Sequence, residues 1–309
     1  MLPFRLKPVF KNYLWGGTKL ITDWGKNPES ETLAESWELA SHPDGDNVIL
    51  DGELKGLTLS EAVKNFPEIV SPKFNPAETF PLMVKLIDAK LPLSIQVHPF
   101  NEYARRVEHS RGKTEAWYIL GHEEGAFIYM GFAHNVGRSD FAEAIENDTL
   151  TELLRKVYVH DGDTFFIPAG TIHAIGAGIT LAEIQENSNV TYRVYDYGRR
   201  GPDGKTRELH IEKALDVTNT FPLRITPPGT NDKVVVSCNK FHVERFSAPF
   251  SGKVDGESFK FMLCLDGKAE FSCGEFSCGL VKGENVFVPA NCECEFAVDG
   301  DAEIMITSL

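Results

Sequence analysis

Short apolar runs bounded by turn residues recur along most of the chain, as in IQVHP, EAWYIL, TFFIPAG, VVVSC, KFMLCL and NVFVPA. Runs of this length, rich in β-branched and aromatic residues, predict strands, and their spacing suits a sandwich or a barrel. Helical signals are fewer. Thr58 with Glu61 forms a capping box that opens LSEAVKNFPEIV, Ser139 precedes DFAEAIEN, and Thr149 with Glu152 opens TELLRKV. The last two predict a small helical insert at about 139–157 in a mainly β protein. FPLRITPPGTND, residues 221–232, carries proline and glycine without an apolar period and reads as a linker between 1–225 and 226–309.

One internal comparison refines that division. GDTFFIPAGTIH begins at Gly162 and GENVFVPANCEC at Gly283, so a skeleton of Gly, five residues and Pro occurs twice. In register, Pro168 matches Pro289, Gly170 matches Asn291 and His173 matches Cys294. Two β lobes of one kind are implied. The first keeps a histidine where the second has cysteine, so chemistry is expected in the first, 1–225, and a degenerate lobe in 226–309.

Charge and composition narrow the partners. The 309 residues hold 31 Lys plus Arg against 45 Asp plus Glu, a formal charge of −14. That surplus excludes nucleic acid as the expected partner, because phosphate backbones are gripped by clustered Lys and Arg. The opening MLPFRLKPVFKN lacks the apolar core of a signal peptide, and no run is apolar enough to span a bilayer. A cytoplasmic protein without a membrane partner is expected. All six cysteines fall at or beyond Cys238. Without a CxxC pair, the expected role is that of buried thiols acting as small hydrophobes, rather than a zinc site of Cys273, Cys278, Cys292 and Cys294.

Three segments of the first lobe carry candidate chemistry. In SIQVHP a strand turns Ser94, Gln96 and His98 to one face and Ile95 and Val97 to the other. In GKTEAWYIL the same period places Lys113, Glu115 and Trp117 together. In GDTFFIPAGTIHAIG a turn fixed by Pro168 and Gly170 delivers His173. Singly, the first two patterns also describe half-exposed strands; the spacing G-x5-P-x-G-x2-H is far more specific.

That last pattern resembles the second motif of the cupins, barrels that hold a divalent metal with histidines and a glutamate. LSIQVHP, GKTEAWYI, IPAGTIHAIGAG and ENSNVTYRVYDYGR are together similar to the successive motifs of the type I mannose-6-phosphate isomerases, in their short bacterial branch. The similarity extends from YLWGG and ESWELASHP to about residue 220. The resemblance implies two cupin-like jelly-roll lobes. It implies one Zn²⁺ per chain, replaceable by other divalent metals, on Gln96, His98, Glu115 and His173. It further implies Arg193, Glu183 and Lys113 as catalytic groups, and Lys85, Ser94, Lys113 and Arg193 as substrate-binding ones. The chain departs from the family at Asn187-Ser188-Asn189, where many members read NSD.

The activity so implied is interconversion of mannose 6-phosphate and fructose 6-phosphate through an enediol. A Lewis acid can polarise the carbonyl. Arg193 adds a positive group that resists deprotonation, and Glu183 is the expected general base. Two other readings stay open: a metal-cupin of other chemistry such as a dioxygenase, and a sugar-phosphate-binding cupin without catalysis. The expected state is a monomer or a homodimer. Tyr192, Tyr195 and Tyr197 are expected to line one face near Arg193.

Overall fold

In a computed structural model, residues 1–201, 203–223 and 233–309 are described. The chain forms two compact units. One comprises the described residues of Met1–Lys11, Thr18–Leu86 and Asn231–Leu309; the other comprises those of Asn12–Gly17 and Ile87–Thr230.

The second unit is built from antiparallel strands in two sheets. One sheet has the order Leu154–Tyr158, Phe127–Phe132, His173–Ile175, Ile95–Val97, Tyr192–Tyr195. The other includes Thr164–Ile167, Glu115–His122 and Ile179–Glu186 as successive neighbours. The five-stranded sheet has two unlike faces. Ile95, Val97, Ala174, Tyr192 and Val194 pack with Tyr103, Phe141, Leu150, Ala214 and Val217 from the helices Asn101–Val107, Arg138–Glu146, Leu150–Leu153 and Ile211–Val217. Period 2 therefore turns Gln96 and Arg193 the opposite way. The register adds His173: it lies opposite Gln96 on one side, and Arg193 lies opposite Gln96 on the other.

In the first unit the two long strands Lys260–Cys273 and Glu295–Ser308 pair from Phe261 opposite Thr307 to Cys273 opposite Phe296. The N-terminus joins this sheet. Phe4 and Phe287 exchange backbone hydrogen bonds at 3.0 and 2.8 Å and stack with ring centroids 5.0 Å apart. Leu6 N donates to the side chain of Asn285 at 3.0 Å. These contacts explain why the unit gathers both ends of the chain, a division that differs from a single cut after residue 225. Of the expected linker, 224–232 lies outside the described residues.

The repeat has a structural counterpart. Gly162 and Gly283 both adopt positive φ, 86° and 88°, a backbone setting that glycine accepts without strain. Each precedes a strand, Thr164–Ile167 and Asn285–Val288.

The helical expectations fare unequally. Thr58 caps Leu59–Asn65 with a complete capping box. The next helix, Arg138–Glu146, starts two residues earlier than a cap at Ser139 would place it, with Gly137 at the cap position and Asp140 Oδ2 accepting from its N–H. Thr149 makes no side-chain cap, and the helix after it ends at Leu153. Residues 154–157, expected to be helical, instead form the strand Leu154–Tyr158, paired from Phe127 opposite Tyr158 to Phe132 opposite Leu154. Sheet pairing outweighs the local helical preference there.

Candidate metal centre and surrounding site

All the site residues described next except Lys85 lie in the second unit. Glu115 opens its strand at the register position opposite Gln185, and Trp117 stands opposite Glu183. The carboxylate of Glu115 meets both histidines: Oε1 is 3.4 Å from His173 Nε2 and Oε2 is 3.6 Å from His98 Nε2. His98, Glu115 and His173 are at most 1% exposed. Their ligand atoms lie within 4.8 Å of one another.

The outer nitrogens of both rings are committed. His98 Nδ1 lies 2.8 Å from Val190 O, and His173 Nδ1 lies 2.8 Å from Thr171 O. A carbonyl oxygen only accepts, so each Nδ1 carries the hydrogen and each Nε2 turns a lone pair toward Glu115. Burial pulls the His173 pKa down to about 4, which keeps that ring neutral at neutral pH. Two imidazoles and one carboxylate converging at this spacing fit a divalent cation of the zinc class. Gln96 borders the set, with Nε2 3.4 Å from His173 Nε2 and Oε1 accepting from Ser94 Oγ at 3.3 Å. The amide's two ends exchange by a half-turn of its last bond, so either can face the centre.

Charged groups surround this triad. Lys113 Nζ lies 2.7 Å from Glu115 Oε2 and 3.4 Å from Glu183 Oε1. Glu183 is held at its other oxygen, Oε2, by the Trp117 Nε1–H at 3.1 Å. The Trp117 ring also meets His173 edge-on, with centroids 5.4 Å apart. The alternation read from GKTEAWYIL is therefore present: Lys113, Glu115 and Trp117 all contact one cluster. Arg193 Nε donates to Ser94 Oγ at 3.3 Å and Nη1 to Glu208 O at 3.0 Å. Burial lowers its pKa from the ordinary arginine value.

Lys85 belongs to the first unit. Its ammonium lies 3.4 Å from Glu35 Oε2 and 5.1 Å from the Trp37 ring centroid, while Trp37 Nε1 donates to the same Glu35 oxygen at 2.6 Å. Tyr192 and Tyr195 share the helix-facing side, Tyr192 donating to Glu108 at 2.8 Å, and a register shift between Arg193 and Tyr195 lets residues three apart face one way. The Tyr197 ring meets that of Tyr195, with centroids 5.0 Å apart.

Several supporting groups were not legible in the sequence. The carbonyls of Val190 and Thr171 carry no side-chain signature. Asp196, beside the Arg193 strand, accepts from Arg207 Nε at 2.8 Å and also from Arg199. Its place in YDYGRR was the available signal, since an acid among arginines suggests an ion-pair hub.

The chain is similar to known proteins over its whole length. Residues 3–116 match the catalytic domain of type I phosphomannose isomerase. Mannose-6-phosphate isomerase ManA of Bacillus subtilis is 36% identical, the alignment covering 99% of each chain. A crystal structure of the mannose 6-phosphate isomerase from Bacillus subtilis superposes with a TM-score of 0.91 at 31% identity, covering all of both chains. A zinc-bound mannose 6-phosphate isomerase, only 16% identical, shares the fold with a TM-score of 0.77 over 99% of each chain. A chain more than a third identical to such a relative from end to end, with two buried histidines and a glutamate converging in its barrel, belongs to the type I phosphomannose isomerase family.

Proposed function

We propose that this protein interconverts mannose 6-phosphate and fructose 6-phosphate with the help of one Zn²⁺ per chain held by His98, Glu115 and His173, with Gln96 as a fourth ligand. The observation that carries the reading is the Glu115 carboxylate between two Nε2 atoms whose rings are fixed from behind by backbone carbonyls. The bound ion would supply Lewis-acid polarisation of the sugar carbonyl, lowering the barrier by several kcal/mol. One carboxylate against a divalent charge leaves the centre net positive, which favours the negatively charged enediolate over the uncharged carbonyl form of the reacting carbons.

The protein groups divide the remaining work. Isomerisation moves one proton between C1 and C2 and another between their oxygens. Glu183 is the group that accepts and returns the carbon-bound proton at Oε1, since Trp117 fixes the opposite oxygen. Lys113, within hydrogen-bond reach of Glu183 Oε1, is the donor placed to serve the sugar oxygens. Arg193 is held at two edges by Ser94 and Glu208, which orients a permanent positive charge toward the anionic substrate. Lys85 is assigned to the phosphate by family resemblance alone. The net charge of −14 gives no long-range attraction for a sugar phosphate, so local cations must bind it.

The same reading makes the protein a cytoplasmic enzyme acting as monomer or homodimer, with no nucleic acid or membrane partner. Among the described residues no helix is long and apolar enough to cross a membrane. The experiment is a coupled assay of mannose 6-phosphate turnover on untreated protein, on chelator-stripped protein, and on stripped protein given back Zn²⁺. Activity that disappears and returns with the metal supports the reading. No turnover with any divalent metal overturns it in favour of a sugar-phosphate-binding role.

A further inference from the structure

Cys273 ends the strand Lys260–Cys273, and Cys292 and Cys294 lie in the loop that leads into Glu295–Ser308. Their sulfurs converge. Cys273 Sγ is 3.4 Å from Cys292 Sγ, and all three Sγ atoms lie within 4.8 Å of one another. Cys273 and Cys292 are 1% and 3% exposed, whereas Cys294 is half-buried at the edge of the cluster. All six cysteines of the chain are thiols.

Two features mark this convergence as built rather than incidental packing. A Cβ at Gly274, where φ is +59°, would stand 2.8 Å from Cys294 Sγ, so the glycine keeps the space that this sulfur fills. The internal repeat supplies the other. The turn that begins at Gly162 delivers His173 to the His98, Glu115 and His173 cluster, and the matching turn at Gly283 delivers Cys294 to the thiol cluster. The same position of the repeat ends in a potential metal ligand in both lobes, with the ligand chemistry changed from imidazole to sulfur.

We infer that Cys273, Cys292 and Cys294 form a second metal site, one for a divalent d¹⁰ cation of the zinc class, separate from the histidine and carboxylate centre. Three sulfur ligands select soft or borderline ions. A divalent ion cuts the charge of three thiolates to minus one, where a monovalent ion would leave minus two, and charge is what a largely buried site tolerates least. Thiolates, not thiols, ligate a metal, so uptake of the ion releases protons. Three protein ligands leave a tetrahedral ion one open position, on the half-buried Cys294 side. The site is therefore an exchangeable one rather than a closed structural staple.

The test uses the reduced, full-length protein titrated with Cd²⁺, watched for sulfur-to-cadmium charge-transfer absorption. That band reports thiolate ligation and is silent for cadmium on imidazole or carboxylate. One equivalent of sulfur-bound Cd²⁺ per chain is expected, displaced by excess Zn²⁺ and weakened at least tenfold in affinity for each unit fall in pH through proton competition. Glu115→Gln and Cys238→Ser should leave the band intact, and Cys292→Ser should remove it. Should Cys292→Ser fail to fold, Cys294→Ser, altering the half-buried member, is the second variant and should weaken the band at least tenfold. Absence of the band in the parent protein, or its survival undiminished in Cys294→Ser, overturns the inference.

Discussion

His173 Nε2 and Glu115 Oε1 stand 3.4 Å apart, each wholly buried and each carried by a different sheet of the same barrel. A neutral imidazole and a carboxylate facing each other without solvent are stable together when a cation completes them. Replacing Glu115 by glutamine keeps the shape and removes the one formal charge among the proposed ligands. We expect Glu115→Gln to lose bound metal and at least about a hundredfold in kcat/KM, the upper end of the cost of disturbing merely an outer-sphere partner. Elemental analysis beside circular dichroism checks this. A folded variant with its full metal content would remove Glu115 from the ligand set.

Trp117 provides a finer test, because it touches both Glu183 and His173. Its Nε1–H donates to Glu183 Oε2 at 3.1 Å, which favours the ionised carboxylate. Trp117→Phe removes that donor and keeps a ring against His173. Without that donor the ionised Glu183 carboxylate loses stabilisation, so the acidic limb of the kcat/KM profile should move to higher pH. The fall in kcat should be about ten- to a hundredfold, with metal content unchanged. An unshifted acidic limb would show that Glu183 is not the group that must be ionised.

How much of this site the sequence disclosed depends on distance along the chain. The face shared by Lys113, Glu115 and Trp117 follows from period 2 along one short extended stretch that runs into the strand Glu115–His122, and all three side chains meet one cluster in the fold. The turn from Gly162 to His173 was legible because glycine and proline fix its backbone locally. The carbonyls that orient His98 and His173 were not, since Val190 O lies 92 residues from His98 and any residue supplies a carbonyl. Helices show the same contrast. Leu59–Asn65 announces itself with a side-chain capping box, whereas Asn101–Val107 and Ile211–Val217 begin without any side-chain cap and owe their form to packing on the sheet. Nor does a linear reading reveal that Phe4 pairs with Phe287, which is what draws both ends of the chain into one unit.

Asp196 predicts an acid-sensitive term in stability. Burial alone would raise its pKa, but hydrogen bonds from Arg207 and Arg199 outweigh that and hold it below the ordinary carboxylate value. A group depressed in the folded state stabilises it fully above the unfolded pKa of about 4, and loses that contribution as pH falls through the folded value. In Asp196→Asn the contribution is absent at every pH. The melting temperatures of the two proteins should therefore differ most near neutrality and converge as pH falls below about 4. Curves separated by a constant gap at all pH values would assign the aspartate a purely steric role.

The buried pair Lys26 and Glu38 makes the sharpest stability prediction. Nζ and Oε1 are 2.7 Å apart, with the lysine side chain 7% exposed and the glutamate not at all. Glu38 also accepts from Ser36 Oγ at 2.6 Å and from Asn285 Nδ2 at 3.2 Å, while Lys26 donates to Gly283 O. Each charge is compensated, yet the pair's net worth against an uncharged replacement is small because desolvation offsets attraction. Removing one partner is different, since it strands the other charge away from water. Lys26→Met should cost about 3 to 5 kcal/mol in chemical denaturation. Adding Glu38→Gln to it should recover most of that loss, because the amide still accepts from Ser36 and Asn285 without an uncompensated charge. Additive losses in the double variant would instead mean that the two side chains stabilise the fold through their hydrogen bonds and packing, independently of each other's charge.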